Sequence, residues 1–154
     1  MINSSLCYIE KDDCYLMLHR VKKKIDINKN KWIGVGGRFK DDESPKECCI
    51  REIKEETGLD VKELRFRGII TFSSDNFETE HMHLFTCDSF IGELIECNEG
   101  VLKWIPKDQI FDLSLWEGDK IFLKLLFDNA PFFLLKLNYV NDKLINYDLD
   151  LNVL

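Results

Sequence analysis

GRFKDDESPKECCIREIKEETGL, residues 37–59, is the stretch that decides the fold of this chain. Ser44 and Pro45 form a strong helix-start signal, because serine is a good N-cap and proline suits the first helical position. Glu47 stands three residues after the serine and completes a capping box. Gly58 is a typical residue for the position just after a helix. The pattern therefore predicts a helix over residues 45–57.

The second half of this helix carries Glu52, Glu55 and Glu56, which share one face because positions i, i+3 and i+4 are neighbours. Three carboxylates repel each other, and the helix macrodipole also disfavours negative charge near the C-terminus. A bound divalent cation would relieve both effects, whereas the alternative is a solvated acidic face. Carboxylate oxygens suit Mg²⁺ or Mn²⁺, and Mg²⁺ sites usually bind phosphates as well. The stretch therefore predicts a metal site with a phosphate-containing ligand.

Length and composition describe an ordinary globular protein. The 154 residues are 45% hydrophobic, enough for one domain with a core, so we expect a single domain over residues 1–154. A net charge of −7 argues against a stable nucleic-acid complex. The sequence has no apolar run of membrane-spanning length and no secretory signal pattern. Its six cysteines form no CxxC pair, which favours free thiols and a cytoplasmic location, and no obligate protein partner is evident.

The rest of the chain alternates strand and helix patterns, which predicts an α/β fold with a mixed sheet flanked by helices. A second helix is expected over residues 119–128, with Ile121, Phe122, Leu125 and Leu126 buried, and a helical turn over 107–111. The predicted strands cover residues 5–10, 14–19, 32–37, 61–72, 81–90, 101–105, 131–139 and 143–149.

A loop of unusual length, residues 21–31, separates the second and third predicted strands and is rich in lysine. Long loops are disproportionately functional, and clustered lysines can meet an anionic ligand. Lys23 is the candidate for contact with terminal phosphates. The alternative is a solvated basic loop.

Written as a pattern, the central stretch is Gly37, five residues, Glu43, seven residues and then REIKEETGL, residues 51–59. This resembles the Nudix box of the Nudix hydrolase superfamily, with every defining position matched. The resemblance implies an α/β/α sandwich with a mixed β-sheet between helices. It also gives Gly37, Glu43 and Gly58 structural roles in the box.

The same resemblance implies the site residues. Glu52, Glu55 and Glu56 become metal-facing carboxylates for Mg²⁺, with Mn²⁺ as a substitute and the Gly36 carbonyl as a further ligand. Such a metal would neutralise phosphates and activate a bound water for attack on phosphorus. Arg51 would orient these groups by pairing with Glu43 or a helix carboxylate. Glu55 is our predicted general base.

Family members often supply one more acidic residue from a loop opposite the box. Glu99 is the candidate here, as a metal ligand or as the base itself. The alternative is an ordinary surface glutamate.

The resemblance extends to MutT-type enzymes, which hydrolyse oxidised purine nucleoside triphosphates. It rests on KWIGVGG at residues 31–37, on Glu99, on Trp116 and Asp119, and on the terminal hairpin. In that group, the tryptophan and an aspartate pair hold the purine. Here Gly118 replaces the first aspartate of the pair, and Ile33 replaces an asparagine. Both departures remove groups that would hydrogen-bond to the base.

Each residue expected in the base pocket also has a plainer interpretation. Trp116 could stack on a base or belong to the core, and Asp119 could bind the base or simply favour the first helical turn. Phe72 and Phe85 are further candidates for the pocket, although aromatic residues on strands are more often core.

The leading hypothesis is therefore Mg²⁺-dependent hydrolysis of an oxidised purine nucleoside triphosphate such as 8-oxo-dGTP. The products would be the monophosphate and pyrophosphate, a reaction of nucleotide-pool sanitation that prevents DNA damage. One alternative is a Nudix hydrolase of another nucleoside diphosphate derivative, such as ADP-ribose or a dinucleotide. A third hypothesis is a non-catalytic nucleotide-sensing module, which the complete set of box carboxylates disfavours.

Overall fold

The computed structural model describes residues 1–152, so the last two residues of the predicted domain lie outside the described part. Across these residues nine strands form one mixed sheet. The helices are α1 (Pro45–Thr57), a 3₁₀ helix (Lys107–Asp112) and α2 (Glu117–Phe127). The strands are β1 (Ile2–Lys11), β2 (Cys14–His19), β3 (Trp32–Ile33), β4 (Val35–Arg38), β5 (Asp60–Ser74), β6 (Glu80–Ile91), β7 (Val101–Pro106), β8 (Phe133–Val140) and β9 (Lys143–Asp150).

Strand β1 lies at the centre of the sheet. It pairs in parallel with β6, antiparallel with β4 and, at its end, antiparallel with β2. The main strand order is β3-β2-β1-β6-β5-β8-β9, with β7 added beside β2. The β5–β8 pair is parallel and the β8–β9 hairpin is antiparallel. The predicted mixed sheet is therefore confirmed.

The two faces of the sheet carry separate hydrophobic clusters, as the period of two in a strand requires. Along β1, Cys7 and Ile9 face one cluster, whereas Leu6 and Tyr8 face the other. Helix α1 covers the first face with Cys49 and Ile53. Helix α2 covers the second with Phe122, Leu123 and Leu126. The sheet thus lies between helices, which confirms the expected α/β/α arrangement.

Helix α1 has the predicted bounds and the predicted ends. The Glu47 backbone N–H donates to Ser44 Oγ at 3.1 Å, and the Ser44 N–H donates to Glu47 Oε1 at 3.0 Å. Gly58 ends the helix in the left-handed region, with φ of 81°. Local chemistry alone defines both ends of this helix.

The strand predicted over residues 32–37 is two strands, β3 and β4, which pair with β2 and β1. The other elements differ from the prediction mainly at their ends. Helix α2 begins at Glu117 rather than Asp119, and its N-cap, Trp116, makes no side-chain capping bond that the sequence could reveal. Strand β1 begins at Ile2 rather than Ser5, because its first residues pair with the start of β6.

The six cysteines all lie in the described part of the chain and are free; Cys14 is half-buried and the others are buried. None of the helices within residues 1–152 is long and apolar enough to cross a membrane.

Candidate active site

A cavity of about 510 Å³ opens where the central strands meet helix α1 and the long loop after β2. A volume of this size is typical of small-molecule sites. The start of α2 and the loop before β7 complete its walls. Its lining includes the predicted residues Lys23, Ile33, Gly36, Gly37, Glu52, Phe72, Glu56, Glu99, Trp116 and Asp119.

One end of the cavity is acidic. Glu52 and Glu56 project from α1, and Glu99 comes from the loop before β7. Glu56 is only 7% exposed, and the Gly36 N–H points to its Oε2 at 3.4 Å. Burial raises the pKa of Glu56 to about 9, and the charges of Glu99 and Glu52 add to the shift. The fold therefore holds these carboxyl groups close enough to repel one another.

Arg51 organises the carboxylates on the outer side of α1. Its guanidinium donates to both oxygens of Glu43, at 2.6 and 2.9 Å. It also donates to Glu52 at 2.8 Å and to Glu55 at 3.2 Å. The bonds from Arg51 to Glu43, with one from the Lys40 backbone N–H, lower the pKa of Glu43 to about 2. Both pairings expected for Arg51 are present.

Glu55 occupies a different position from its two neighbours. Its side chain is 54% exposed, pairs with Arg51 and does not line the cavity. Of the three box glutamates, only Glu52 and Glu56 line the cavity, where Glu99 joins them. The assignment of Glu55 as general base stays a prediction.

Gly37 has a steric reason to be glycine. A Cβ at this position would lie 2.5 Å from the Glu52 carboxyl group. Real Cβ contacts are not that short, so a side chain here would displace Glu52. The glycine at the start of the box thus lets a helix carboxylate approach the β4 backbone closely.

The donor set of the acidic end fits a hard divalent cation in its chemistry, since it consists of carboxylates and a neighbouring backbone segment. Within residues 1–152, however, no three histidine, cysteine or carboxylate side chains are already gathered tightly enough to hold an ion. Arg51 holds Glu52 and Glu55, and Glu56 turns toward the Gly36 N–H. Metal binding would therefore have to compete with these contacts.

Two cations lie beside the carboxylates. Lys23 Nζ donates to Glu99 Oε1 at 3.1 Å, and Arg20 Nη1 donates to Glu99 Oε2 at 3.1 Å. Both cations line the cavity. Glu99 is therefore a tethered residue of the cavity wall rather than a free surface glutamate.

The other end of the cavity is aromatic and carries one buried acid. Trp116 lines it, with its Nε1–H donating to Asn28 Oδ1 at 2.8 Å. Lys31 Nζ lies 5.2 Å from the centroid of the indole ring. Burial raises the pKa of Asp119 to about 7, and the Lys31 charge opposes the shift. Phe72 and Ile33 complete this end.

Gly118 and Phe85 lie elsewhere than expected. The Gly118 N–H donates to the Tyr139 hydroxyl at 2.7 Å, and a Cβ would lie 2.4 Å from Leu137 Cδ1. Gly118 is therefore packed against β8 and does not line the cavity, and an aspartate would not fit there without rearrangement. Phe85 belongs to the hydrophobic cluster under α1 instead of the pocket.

The cavity lining also includes residues that the sequence did not single out, among them Arg20, Asp26 and Asn28. Arg20 directly follows the second predicted strand, and a basic residue at that position was a weak signal. Asp26 and Asn28 stand among lysines in a loop, and only the folded loop brings them to the cavity.

Comparison with known proteins agrees with this geometry. The NUDIX domain model matches residues 4–126. An uncharacterised Nudix hydrolase of Bacillus subtilis (strain 168) is 30% identical over 118 residues, which are 73% of this chain and 71% of the relative. The oxidized purine nucleoside triphosphate hydrolase of Danio rerio is 33% identical over 112 residues, 71% of each chain.

Among solved structures, a MutT protein from Bacillus halodurans superposes with a TM-score of 0.87 at 26% identity, covering 97% of this chain and 98% of that one. The family model covers well over half of the chain. This chain is therefore a MutT-like member of the Nudix hydrolase family.

Proposed function

We propose that this enzyme is a Mg²⁺-dependent pyrophosphohydrolase of purine nucleoside triphosphates, with oxidised purines such as 8-oxo-dGTP as its preferred substrates. It would release the monophosphate and pyrophosphate. One observation carries the proposal: the pair Trp116 and Asp119 opens into the same cavity as the box glutamates Glu52 and Glu56. The relatives from Danio rerio and Mus musculus named oxidized purine nucleoside triphosphate hydrolase support it.

At the acidic end, Glu52, Glu55, Glu56 and the Gly36 carbonyl would hold Mg²⁺ or Mn²⁺, with Glu99 as a further ligand. The ion, when bound, supplies charge neutralisation for the phosphates and a water of lowered pKa. Arg51 orients Glu52 and Glu55 through the contacts described above. Lys23 and Arg20, which line the same end, bind phosphate oxygens.

At the aromatic end, Trp116 stacks on the base, because an indole face accepts any base. Asp119, with its pKa near 7, can donate or accept a hydrogen bond at the purine edge around neutral pH. Ile33 contributes an apolar contact only. Base selectivity would therefore depend mainly on Asp119.

A second candidate is hydrolysis of another nucleoside diphosphate derivative, such as ADP-ribose or a dinucleotide. It is favoured by Ile33 and Gly118, which both lack the hydrogen-bonding side chains of the MutT-type pattern. The free thiols support a reducing compartment, so we place either activity in the cytoplasm.

A nucleotide panel with Mg²⁺ tests the proposal. The panel holds 8-oxo-dGTP, 2-hydroxy-dATP, dGTP and ADP-ribose, with pyrophosphate or phosphate release as the readout. We expect the highest kcat/KM for an oxidised purine triphosphate, with pyrophosphate as product. Turnover of ADP-ribose far above every triphosphate would favour the second candidate, and no turnover of any nucleotide would favour a non-catalytic module.

The general base is a choice between Glu55, predicted from the sequence, and Glu99, which lines the cavity. Loss of a general base typically lowers kcat by about 10²–10⁴-fold. Glu55→Gln and Glu99→Gln should therefore be compared at saturating Mg²⁺. The variant with the larger loss of kcat at saturating Mg²⁺ identifies the base, because loss of a residue that is only a ligand is offset by added Mg²⁺.

A further inference from the structure

Asp26 uses both of its carboxylate oxygens inside the loop after β2. Arg20 Nε donates to its Oδ2 at 2.8 Å, and the Asn28 backbone N–H donates to its Oδ1 at 3.0 Å. The side chain is only 4% exposed. A buried carboxylate with two fixed donors holds both of them in place, because leaving either donor unpaired is costly.

The contact with Arg20 connects Asp26 to the acidic end of the cavity. The Arg20 side chain is 13% exposed, and it bridges Asp26 to Glu99 through different nitrogens of the same guanidinium. A planar guanidinium fixed at Nε has little freedom at Nη1. Asp26 thus sets the position of the group that contacts Glu99.

The contact with Asn28 connects Asp26 to the aromatic end. Asn28, whose N–H is held by Asp26, accepts the hydrogen bond from the Trp116 indole at 2.8 Å. The indole also lies edge-on to Tyr139, with centroids 5.8 Å apart. The orientation of Trp116 therefore depends on a loop residue that Asp26 positions.

We propose that Asp26 is a positioning residue that couples the two ends of the cavity, so that one side chain fixes both Trp116 and Glu99. This inference rests on the proposed function, which assigns base binding to the aromatic end and phosphate and metal binding to the acidic end. The loop itself is closed independently, since the Arg20 N–H donates to the Lys31 carbonyl at 3.0 Å and the Asn30 N–H donates to the Arg20 carbonyl at 2.8 Å. Removal of the Asp26 side chain therefore tests positioning more than folding.

Three variants separate the two contacts. Asp26→Asn keeps an acceptor for the Asn28 N–H but loses the charge that holds Arg20. Asn28→Ala keeps its backbone N–H but loses the acceptor for Trp116. Asp26→Ala removes the acceptors for both Arg20 and the Asn28 N–H.

The kinetic constants should separate in the same way. With the best nucleotide of the panel, Asp26→Asn should lower kcat about tenfold with KM within about twofold, since it weakens the hold on Arg20 at the reacting end. Asn28→Ala should raise KM about tenfold with little change in kcat, since it frees the indole that holds the base. Asp26→Ala should show both effects. A purely structural role would lower the melting temperature without this split.

A second readout needs neither metal nor turnover. Binding of a non-hydrolysable purine triphosphate analogue in EDTA should quench the fluorescence of Trp116, with Trp116→Phe as the blank. Asn28→Ala and Asp26→Ala should weaken this binding about tenfold, and Asp26→Asn should weaken it less. The chain offers a matched control in Asp150→Ala, because the Asn152 N–H donates to Asp150 Oδ1 at 2.9 Å in the same Asp-x-Asn arrangement, and neither residue lines the cavity.

The outcomes are distinguishable. Equal effects of Asp26→Ala and Asp150→Ala on kcat, KM and analogue binding would overturn the coupling, as would the same constant changing in Asp26→Asn and Asn28→Ala. Absence of turnover in the wild type would overturn the proposed function alone, because the fluorescence measurement still decides whether Asp26 controls Trp116.

Discussion

Asp119 is an acid that the fold keeps out of water, and its titration should be visible in the stability of the protein. Its pKa is raised from 3.8 to about 7, chiefly by burial. Between these values the folded state binds a proton that the unfolded state has lost, so stability falls as pH rises from about 4 to about 7. Asp119→Asn should remove this loss. We expect a gain of about 1–4 kcal/mol at pH 8 that shrinks toward pH 4.

Urea unfolding of the wild type and of Asp119→Asn across this pH range measures the effect. Asp108→Asn is the control, because Asp108 is an exposed acid of the 3₁₀ helix. A constant difference between wild type and Asp119→Asn from pH 4 to pH 8 would contradict the burial of an ionisable group at this position. The same variant should lose selectivity among purines if Asp119 contacts the base.

At the scale of elements, the accuracy of the sequence prediction depended on whether an end is set locally. Helix α1 was predicted with its observed bounds because Ser44, Pro45 and Gly58 act within a few residues of themselves. The start of β1 was missed because its pairing partner in β6 is nearly 80 residues away, with Ile2 opposite Glu80. The start of α2 was missed because no capping side chain marks it.

In the candidate site too, the residues set by local sequence were predicted and those set by distant contacts were not. Glu52 and Glu56 share one helix, so spacing alone predicted that they lie together, whereas Glu55 of the same predicted group does not line the cavity. The bond from the Asn28 N–H to Asp26 is a local Asx turn. The contact of Asp26 with Arg20 depends on the path of a long loop, which no local pattern encodes. Gly118 was expected in the pocket from a motif position, whereas packing against Tyr139 determines its surroundings.

The salt bridge between Glu43, in the loop before α1, and Arg51 of α1 leads to a second prediction. Glu43→Gln would weaken the two-pronged contact with Arg51, leaving that guanidinium freer to bind Glu52 and Glu55. Those carboxylates are the proposed metal ligands, so the cation and Arg51 would compete for them. We expect the Mg²⁺ concentration for half-maximal activity to rise about tenfold, as is typical when a residue that supports metal ligands is replaced.

Mg²⁺ titration of the initial rate checks this expectation. Glu47→Gln is the matched control, because glutamine can still accept the Ser44 N–H and preserve the capping box. If Glu43→Gln lowered the melting temperature with no change in the Mg²⁺ requirement, the contact with Arg51 would serve the fold alone.

For the whole molecule, the central strand β1 and the two helix layers place the acidic and aromatic ends in one cavity. This arrangement gathers carboxyl groups that disfavour the folded state without a cation, since Glu56 is buried and faces the charges of Glu99 and Glu52. Function therefore opposes stability at this site, as is common for active sites. The bound metal should offset that cost.

Thermal unfolding with and without Mg²⁺ tests this balance. A ligand at 100 times its Kd stabilises the folded state by about 2.7 kcal/mol, and a protein of this size gains about 2–4 °C per kcal/mol. We therefore expect Mg²⁺ to raise the Tm of the wild type by about 5–10 °C. Glu56→Gln should raise the Tm in EDTA, because it removes a buried carboxyl group that must take up a proton on folding at neutral pH. It should also abolish the Mg²⁺-dependent rise, because it removes a proposed ligand. The exposed Glu63 supplies the control Glu63→Gln, and equal Mg²⁺ effects in both variants would place the stabilising ion elsewhere.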